Sequence, residues 1–414
     1  METRLRELMQ AVVGDPPHRV TAEAVRHQVV KRRMREAAGV LAAVVLAVVG
    51  VTAAVRVVGA APGPAHRRSA DSTAYVVYNS GIVKQGSPGR LVPISTATNR
   101  VGKPIRLAID GAVVVTPDGK TIYVGSSRTV TPVRTATNTP GKPIHIRIAL
   151  PAFGIAVNPD GQTAYVSGLA DAITPVSTAT NTAGNPIHIR LSRFPAVIAF
   201  TPDGETAYVG TAGGTVTPIN TATNRPGKPI PTGVRGPLAI AVTPDGKTAY
   251  ALGLNTVTPI STATNTAGKP IRLPGEACCF IAITPDGKTA YVGATGNAVV
   301  PISTATNTAG KPIRIGIPAE EIVFTPDGKT AYVANEEGPI GTVVPISTGA
   351  STPGKPIRIG LNTVIAITPD GKTLYAAAQN KVVPISTATN KPGKPIRLRY
   401  GFPAGIVIPP RPGT

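Results

Sequence analysis

The chain has 414 residues, of which 42% are apolar but only 4% aromatic, with no tryptophan, so large conventional cores are not expected. It carries 42 basic and 21 acidic residues, and the formal net charge of +21 favours anionic partners. The only two cysteines are adjacent, which excludes a disulfide scaffold and a spaced set of zinc ligands.

The first distinct feature is an uncharged apolar stretch of 19 residues, 37–55, which spans roughly 28 Å as a helix. Lys31, Arg32, Arg33 and Arg35 precede it, and this positive flank predicts a cytoplasmic N-terminus. We therefore predict a transmembrane signal-anchor helix over 37–58 that holds the protein in the cell membrane. A cleaved signal peptide is the alternative, because small residues follow at 58–61.

The anchor divides the chain into predicted segments. Residues 1–36 form a basic helical segment in the cytoplasm, and 59–70 form a Pro/Gly linker. Residues 71–409 form one extracytoplasmic domain, followed by a disordered tail at 410–414.

A repeat with one tyrosine per unit fills the large domain. The eight tyrosines are Tyr75, Tyr123, Tyr165, Tyr208, Tyr250, Tyr291, Tyr332 and Tyr375, separated by 48, 42, 43, 42, 41, 41 and 43 residues. A period in the low forties indicates a four-stranded propeller blade. In residues 281–315 the four strands, named a to d, are "IAIT", "TAYVGA", "AVVPIST" and "KPIRI".

Seven copies of a Pro-Asp-Gly motif separate strands a and b. Five of them continue as Gly-Lys-Thr, the ending of a phosphate-binding loop. A phosphate loop also needs a glycine five residues before that Gly-Lys-Thr and a helix after it, and the copies have neither. The motif instead predicts a tight turn, in which the aspartate bonds nearby backbone and the glycine adopts the left-handed conformation.

The two ends of the domain complement each other. The first unit lacks strand a, and the C-terminal "PAGIVIPP" matches the strand a of other units, such as "PLAIAVTP". We therefore predict an all-β, eight-bladed propeller that the C-terminal strand closes, preceded by one transmembrane helix. A seven-bladed propeller is the alternative.

The combination "TPDGKTAYV" and "VTPISTATN" resembles the YVTN-type β-propeller repeats of bacterial extracytoplasmic proteins, over about residues 71–409. The usual "YVTN" or "YVAN" occurs only as "YVAN" at Tyr332. The resemblance implies an exported propeller used for binding or for envelope organisation. Some related propellers are lyases or lactonases, so the fold leaves the function open.

Variation among the repeats is concentrated in the d–a and b–c connections. These connections lie at one end of every blade, so we predict that any specific ligand binds there, around the channel mouth. The candidate residues are Arg193, Arg235, Glu276, Glu320, Glu321, Glu336, Glu337 and Tyr400. Cys278 and Cys279 are candidates for a vicinal disulfide, with free thiols as the alternative.

These patterns favour a binding or scaffolding module over an enzyme. No serine or cysteine nucleophile has a histidine partner, and no ligand cluster indicates a metal or a cofactor. The first alternative is a hydrolase or lyase at the channel mouth, using carboxylates such as Glu276 and Glu320. The second is adhesion to an anionic envelope polymer, because the chain beyond residue 60 has 33 basic and 16 acidic residues. The expected partners are thus the membrane and an extracytoplasmic protein or polymer, and not nucleic acid.

Overall fold

The computed structural model describes residues 72–80, 88–146, 154–168, 172–189, 197–211, 213–233, 239–335 and 340–410, with Cys278 and Cys279 described in their backbone only. The predicted cytoplasmic segment, anchor and linker, and nearly all of the tail, lie outside these residues. Within them, no helix is long and apolar enough to cross a membrane.

The described chain folds into eight antiparallel sheets, which confirms the eight-bladed propeller. We number the blades 1 to 8 in the order of their repeat tyrosines, from Tyr75 to Tyr375. Strand b of blades 1 to 8 is Thr73–Tyr78, Thr121–Ser126, Thr163–Ser167, Thr206–Thr211, Thr248–Leu252, Thr289–Ala294, Thr330–Ala334 and Thr373–Ala378. Strand c is Gly89–Ser95, Thr129–Arg134, Ala172–Ser177, Thr215–Asn220, Thr256–Ser261, Ala298–Ser303, Thr342–Ser347 and Lys381–Ser386.

The innermost strand of blades 2 to 8, strand a, is Val113–Val115, Gly154–Val157, Val197–Phe200, Ala239–Val242, Ala277–Ile283, Glu321–Phe324 and Val364–Ile367. In blade 1 this position is taken by the C-terminal strand Gly405–Val407, which pairs antiparallel with Thr73–Tyr78. The predicted ring closure is therefore confirmed, and the first and last strands of the propeller lie in one sheet.

The outermost strand, strand d, is split in seven blades, contrary to the prediction of a single strand that begins at Gly-Lys-Pro. Its first segment in blades 2 to 8 is Thr139–Pro140, Thr182–Ala183, Arg225–Pro226, Thr266–Ala267, Thr308–Ala309, Thr352–Pro353 and Lys391–Pro392. Its second segment in blades 1 to 8 is Ile105–Leu107, Ile144–His145, Ile187–His188, Ile230–Pro231, Ile271–Arg272, Ile313–Arg314, Ile357–Arg358 and Ile396–Arg397.

Every strand c contains a proline, which an inner strand of a sheet normally excludes. The split of strand d explains why it is tolerated. In blade 2, the two segments of strand d pair with strand c on either side of Pro132. The Pro132 carbonyl accepts a hydrogen bond from the Gly141 amide at 2.7 Å, while Pro132 has no amide hydrogen to donate. The Gly-Lys-Pro sequence thus occupies the gap between the two segments of strand d. Pro132 lies opposite this gap, so its missing amide hydrogen costs no hydrogen bond to strand d.

The Pro-Asp-Gly segments form the predicted tight turns. Asp245 accepts hydrogen bonds from the Thr243 hydroxyl at 2.6 Å and from the Lys247 amide at 3.0 Å, and Gly246 has a φ of +72°. The Thr243 hydrogen bond is the main cause that lowers the pKa of the Asp245 carboxyl. Since the equivalent aspartates make similar contacts within their own turns, these carboxylates serve the turn.

The repeat tyrosines are completely or almost completely buried at the blade interfaces, and they also bond across those interfaces. The Tyr75 hydroxyl donates to the Asn138 side-chain oxygen of the next blade at 2.6 Å, and Tyr208 donates to Asn265 at 2.7 Å. The Tyr375 hydroxyl donates to Asn99 at 2.7 Å and so joins blade 8 to blade 1. The ring is therefore held by directional bonds as well as by apolar packing.

Candidate functional site

The two ends of the blades differ in their residues. We call the end with the a–b turns and the c–d loops the turn face; the Thr135 hydroxyl of a c–d loop donates there to the Gly119 carbonyl at 2.7 Å. The opposite end, formed by the d–a and b–c connections, is the variable face. Strand b of blade 1 begins and strand a of blade 1 ends at the turn face, so the chain enters and leaves the propeller there.

The predicted binding residues on the variable face have different environments. Arg193, Arg235, Glu336 and Glu337 lie outside the described residues. Glu276 is exposed and Tyr400 is half-buried, whereas Glu320 and Glu321 are buried, with 9% and 6% of their surfaces exposed. Sequence alone gives no sign of this burial, because Glu320 precedes strand a of blade 7 and Glu321 begins it, as residues do in any other blade.

Glu321 connects two blades. Its carboxylate accepts a hydrogen bond at 2.8 Å from the backbone amide of Ile365, which lies in strand a of the next blade. The Glu320 amide donates to the Ala334 carbonyl of the neighbouring strand b at 3.1 Å. The buried Glu321 carboxylate therefore serves as a structural hydrogen-bond acceptor at the interface between two blades.

Tyr400 belongs to an aromatic and cationic cluster between blades 8 and 1. Its ring meets the ring of Tyr78 edge to face, with the centroids 5.5 Å apart. The Arg90 guanidinium carbon lies 5.2 Å from the centroid of the Tyr400 ring, within cation–π range. Burial raises the pKa of the Tyr78 hydroxyl, which is 1% exposed as a residue and has no hydrogen-bond partner.

Cys278 and Cys279 lie in an irregular part of strand Ala277–Ile283. The pairing with strand b shifts between Ala277 and Ile281, so that three residues of strand a stand opposite one residue of strand b. The bulge coincides with the two cysteines of the chain. The vicinal disulfide stays a prediction, which titration of free thiols on unreduced protein would test.

Exposed cations line the outer edge of seven of the eight blades, all except blade 3, in the described residues. We call rim belt the exposed lysines and arginines of the c–d loops and of strand d: Arg100, Lys103, Arg106, Lys142, Arg225, Lys228, Lys269, Arg272, Lys311, Arg314, Lys355, Arg358, Lys391, Lys394 and Arg397. No aspartate or glutamate occurs in these loops and strands. The salt bridges found among the described residues join Lys120 to Asp118 and Lys288 to Asp286, both on the turn face, and neither involves a residue of the rim belt.

Residues suited to holding a metal are not grouped in the described part of the chain. No three histidine, cysteine, aspartate or glutamate residues lie together there in a way that could hold an ion. The two histidines of the described residues, His145 and His188, are exposed and lie in strand d of neighbouring blades, blades 2 and 3.

Comparison with known proteins identifies a fold and not a family. No protein-family model matches the chain, and no curated protein matches it. Among solved structures, a Kuenenia stuttgartiensis hydrazine synthase chain is 23% identical over 61% of this chain and 87% of its own, with a TM-score of 0.49. The dihydro-heme d1 dehydrogenase NirN in complex with DHE is 14% identical over 81% of this chain and 74% of its own, with a TM-score of 0.66. At this identity, the similarity to NirN shows the β-propeller fold alone.

Proposed function

We propose that the protein is a membrane-anchored, extracytoplasmic binding module whose rim belt holds an anionic polymer of the cell envelope. The rim belt carries this proposal, because its fifteen exposed cations lie in stretches without a single carboxylate. A polyanion that follows the rim from blade 4 through blade 8 to blade 2 would meet cations on each of these blades, and the attraction would add over many contacts. Lysine and proline also protect the edge strand from pairing with other chains, and this protection is compatible with binding.

The anchored arrangement is supported by the uncharged stretch at 37–55 and its basic N-terminal flank. Extraction of cell membranes with alkaline carbonate tests it. We expect the full chain to remain in the membrane pellet and the propeller to be degraded by protease added outside the cell. Release of the chain by carbonate, or protection of the propeller in intact cells, would contradict the proposal.

Catalysis at the channel mouth has less support. Glu321 is engaged by the Ile365 amide, and Glu276 is exposed on a connection of another blade. NirN was solved in complex with DHE, but the shared fold alone transfers no ligand and no chemistry to this chain.

The rim is tested with inorganic polyphosphate as the probe and the full chain held in phosphatidylcholine nanodiscs. In one variant, Lys142, Lys228, Lys269, Lys311 and Lys355 of the rim belt are all changed to Gln. In the matched control, the five lysines of the a–b turns are changed to Gln: Lys120, Lys247, Lys288, Lys329 and Lys372. Both variants lose five positive charges and so have the same net charge, although Lys120 and Lys288 of the control also lie near Asp118 and Asp286.

We expect the rim variant to bind polyphosphate about tenfold more weakly at low salt, with a reduced salt dependence, and the turn-face variant to change by less than about threefold. An equal loss in both variants would mean that net charge alone drives binding. Unchanged binding by the rim variant would refute the rim as the binding surface.

A further inference from the structure

Neighbouring blades contact each other along the rim through strand d. The second segment of strand d in one blade lies against the first segment in the next blade. Between blades 5 and 6, Cα atoms of Ile271–Arg272 and of Thr308–Ala309 approach within 8 Å. Residues 239–335, which include this junction, are all described, except for the side chains of Cys278 and Cys279. The rim at this junction therefore combines side chains from two blades.

Arg272 contributes a guanidinium to the junction between blades 5 and 6. Ile271 is buried and Arg272 is exposed, as for successive residues of a strand, so the Arg272 side chain points outward. Among the described residues, no hydrogen bond or salt bridge engages its guanidinium. Glu276, the nearest carboxylate along the chain, lies in the connection to strand a of blade 6 and does not pair with it. The guanidinium is thus available to an anion from solution.

A pair of threonines in blade 6 contributes hydroxyl groups. The Thr306 and Thr308 hydroxyl oxygens are 2.7 Å apart, and both residues are exposed. Two hydroxyls carry two hydrogens, and the bond between them uses one, so the other can donate to a ligand. Because Thr308 stands in the segment that lies against Arg272, the guanidinium and the free hydroxyl belong to one place on the rim, which we call a junction site.

The same set of groups occurs between blades 1 and 2. Strand Ile105–Leu107 lies against Thr139–Pro140, and Arg106 is exposed. The Thr137 and Thr139 hydroxyl oxygens are 2.6 Å apart. The two junction sites are therefore four blades apart in a ring of eight.

Other junctions have the threonine pair without the arginine. Two of them place a proline or a histidine where Arg272 stands: Pro231 beside Thr264 and Thr266 between blades 4 and 5, and His145 beside Thr180 and Thr182 between blades 2 and 3. The hydroxyl oxygens of both pairs are 2.7 Å apart. The chain thus contains matched threonine pairs with and without a guanidinium.

A guanidinium next to a hydroxyl donor suits a phosphate group. The guanidinium can donate two parallel hydrogen bonds to a phosphate or to a carboxylate. A phosphate holds its oxygens in a tetrahedron, so a hydroxyl can donate to it from another direction, as threonine does in other phosphate sites. A carboxylate has two oxygens in one plane, and the guanidinium alone can occupy both. The junction sites should therefore distinguish phosphate polymers from polymers of carboxylates.

We propose that the two junction sites bind phosphate groups, so that the polymer held by the rim is a phosphate polymer. This inference rests on the proposed function, because the lysines of the rim belt supply most of the attraction and the junction sites select the chemistry of the polymer. Loss of the selection would leave the attraction in place, so the two proposals can fail separately.

Threonine variants test the selection at constant net charge. Thr137, Thr139, Thr306 and Thr308 are changed to Val in the full chain in phosphatidylcholine nanodiscs. In the matched control, Thr180, Thr182, Thr264 and Thr266 are changed to Val. Inorganic polyphosphate and poly-L-glutamate are the probes, at pH 8, where histidine is ordinarily uncharged.

We expect the junction variant to bind polyphosphate about three- to tenfold more weakly, because hydrogen bonds to a charged group are lost. The control variant should change by less than about twofold, and neither variant should change the binding of poly-L-glutamate. Both variants should retain the melting temperature of the parent chain, because the altered side chains are exposed. Equal weakening in junction and control variants, or of both probes, would refute selection by the junction sites.

Arginine variants test whether the guanidinium and the hydroxyls bind the same phosphate. Arg106→Lys with Arg272→Lys keeps the charge but removes the two-pronged donor, so polyphosphate binding should weaken about threefold or more. Combined with the four valines, it should add little further loss, because both changes act on one contact. Arg358→Lys with Arg397→Lys, at junctions without a threonine pair, should have no effect. Additive losses would mean that the two groups bind separately.

The outcomes separate this inference from the proposed function. Weakening by the five rim glutamines with no effect of the valines would overturn the junction sites and leave the rim as the binding surface. Weakening by the valines alone would support the junction sites and refute the lysines of the rim belt. Tighter binding to phosphatidylglycerol vesicles than to polyphosphate, lost in the junction variant, would replace the polymer with a lipid surface as the source of phosphate.

Discussion

At the scale of single residues, the repeat tyrosine has two roles. Its ring fills the interface between two blades, and its hydroxyl crosses that interface to an asparagine of the next c–d loop. The asparagine has a positive φ, for example +52° at Asn265, which asparagine tolerates better than most residues. In blade 7 this position holds Ser351, and the Tyr291 hydroxyl bonds to the Thr348 carbonyl at 3.5 Å instead.

Tyr208 and Tyr78 allow this hydrogen bond to be measured by the same substitution. Tyr208→Phe removes the bond to Asn265, and we expect it to lower the stability by about 1 kcal/mol. Tyr78→Phe removes a buried hydroxyl that has no hydrogen-bond partner, so we expect no loss and a gain of up to about 1 kcal/mol. Thermal melting of residues 60–414 measures both changes, and a loss of the same size in Tyr78→Phe would show that the lost hydrogen bond does not cause the change in stability.

At the scale of elements, closure of blade 1 depends on a short strand. Gly405–Val407 pairs with Thr73–Tyr78 over three residue positions, and the chain after it passes close to the first a–b turn. A Cβ atom at Gly119 in that turn would overlap the Pro410 carbonyl oxygen. The a–b turn of blade 2 thus lies against the residues that follow the closing strand.

Two glycines test this contact. Gly119 and Gly161 have φ values of +70° and +72°, but the nearest atom to a Cβ at Gly161 is 3.7 Å away. Gly161→Ala should cost about 1 kcal/mol for the left-handed conformation. Gly119→Ala should cost roughly 1–3 kcal/mol more, because it also displaces the residues that follow the closing strand.

Thermal melting gives the difference between the two variants, and carboxypeptidase digestion reports release of the C-terminus. The digestion should be faster in Gly119→Ala than in Gly161→Ala. Equal melting temperatures and equal digestion would mean that the contact with Pro410 does not contribute to closure.

At the scale of the whole molecule, the sequence predicts what is repeated and local. The spacing of the tyrosines and the Pro-Asp-Gly turns predict the eight blades, and the unmatched ends predict the closure. The bonds between blades were missed, because Tyr208 and Asn265 are 57 residues apart and the asparagine stands in a motif typical of a loop. The recurrence of tyrosine and asparagine at the same period was the one available signal.

The candidate site was harder to predict than the fold. The partner of the Glu321 carboxylate, the Ile365 amide, comes from the next blade, and the bond from the Asn362 side chain to the Pro403 carbonyl joins two connections of the variable face. Neither produces a local pattern in the sequence. The lysines of the outer edge, in contrast, were easier to predict, because Gly-Lys-Pro recurs in seven of the eight blades.

The whole ring should respond to alkaline pH as a unit. Burial raises the pKa of Tyr75, Tyr123, Tyr165, Tyr208, Tyr250, Tyr332 and Tyr375 from 10.0 to about 12. Below pH 10 these hydroxyls are protonated in both the folded and the unfolded chain, so their contribution to stability is complete. Between pH 10 and 12 the unfolded chain releases its protons and the folded chain does not, so the free energy of unfolding falls as pH rises.

Because one such tyrosine lies at seven of the eight blade interfaces, we expect a single steep unfolding transition within this pH range. Absorbance of tyrosinate at 295 nm and circular dichroism of the sheets, followed together in residues 60–414, should change at the same pH. Tyr208→Phe weakens one interface and should move the transition to slightly lower pH. Reversible titration of the tyrosines near pH 10 with the sheets intact would show that the blade interfaces open without unfolding of the ring.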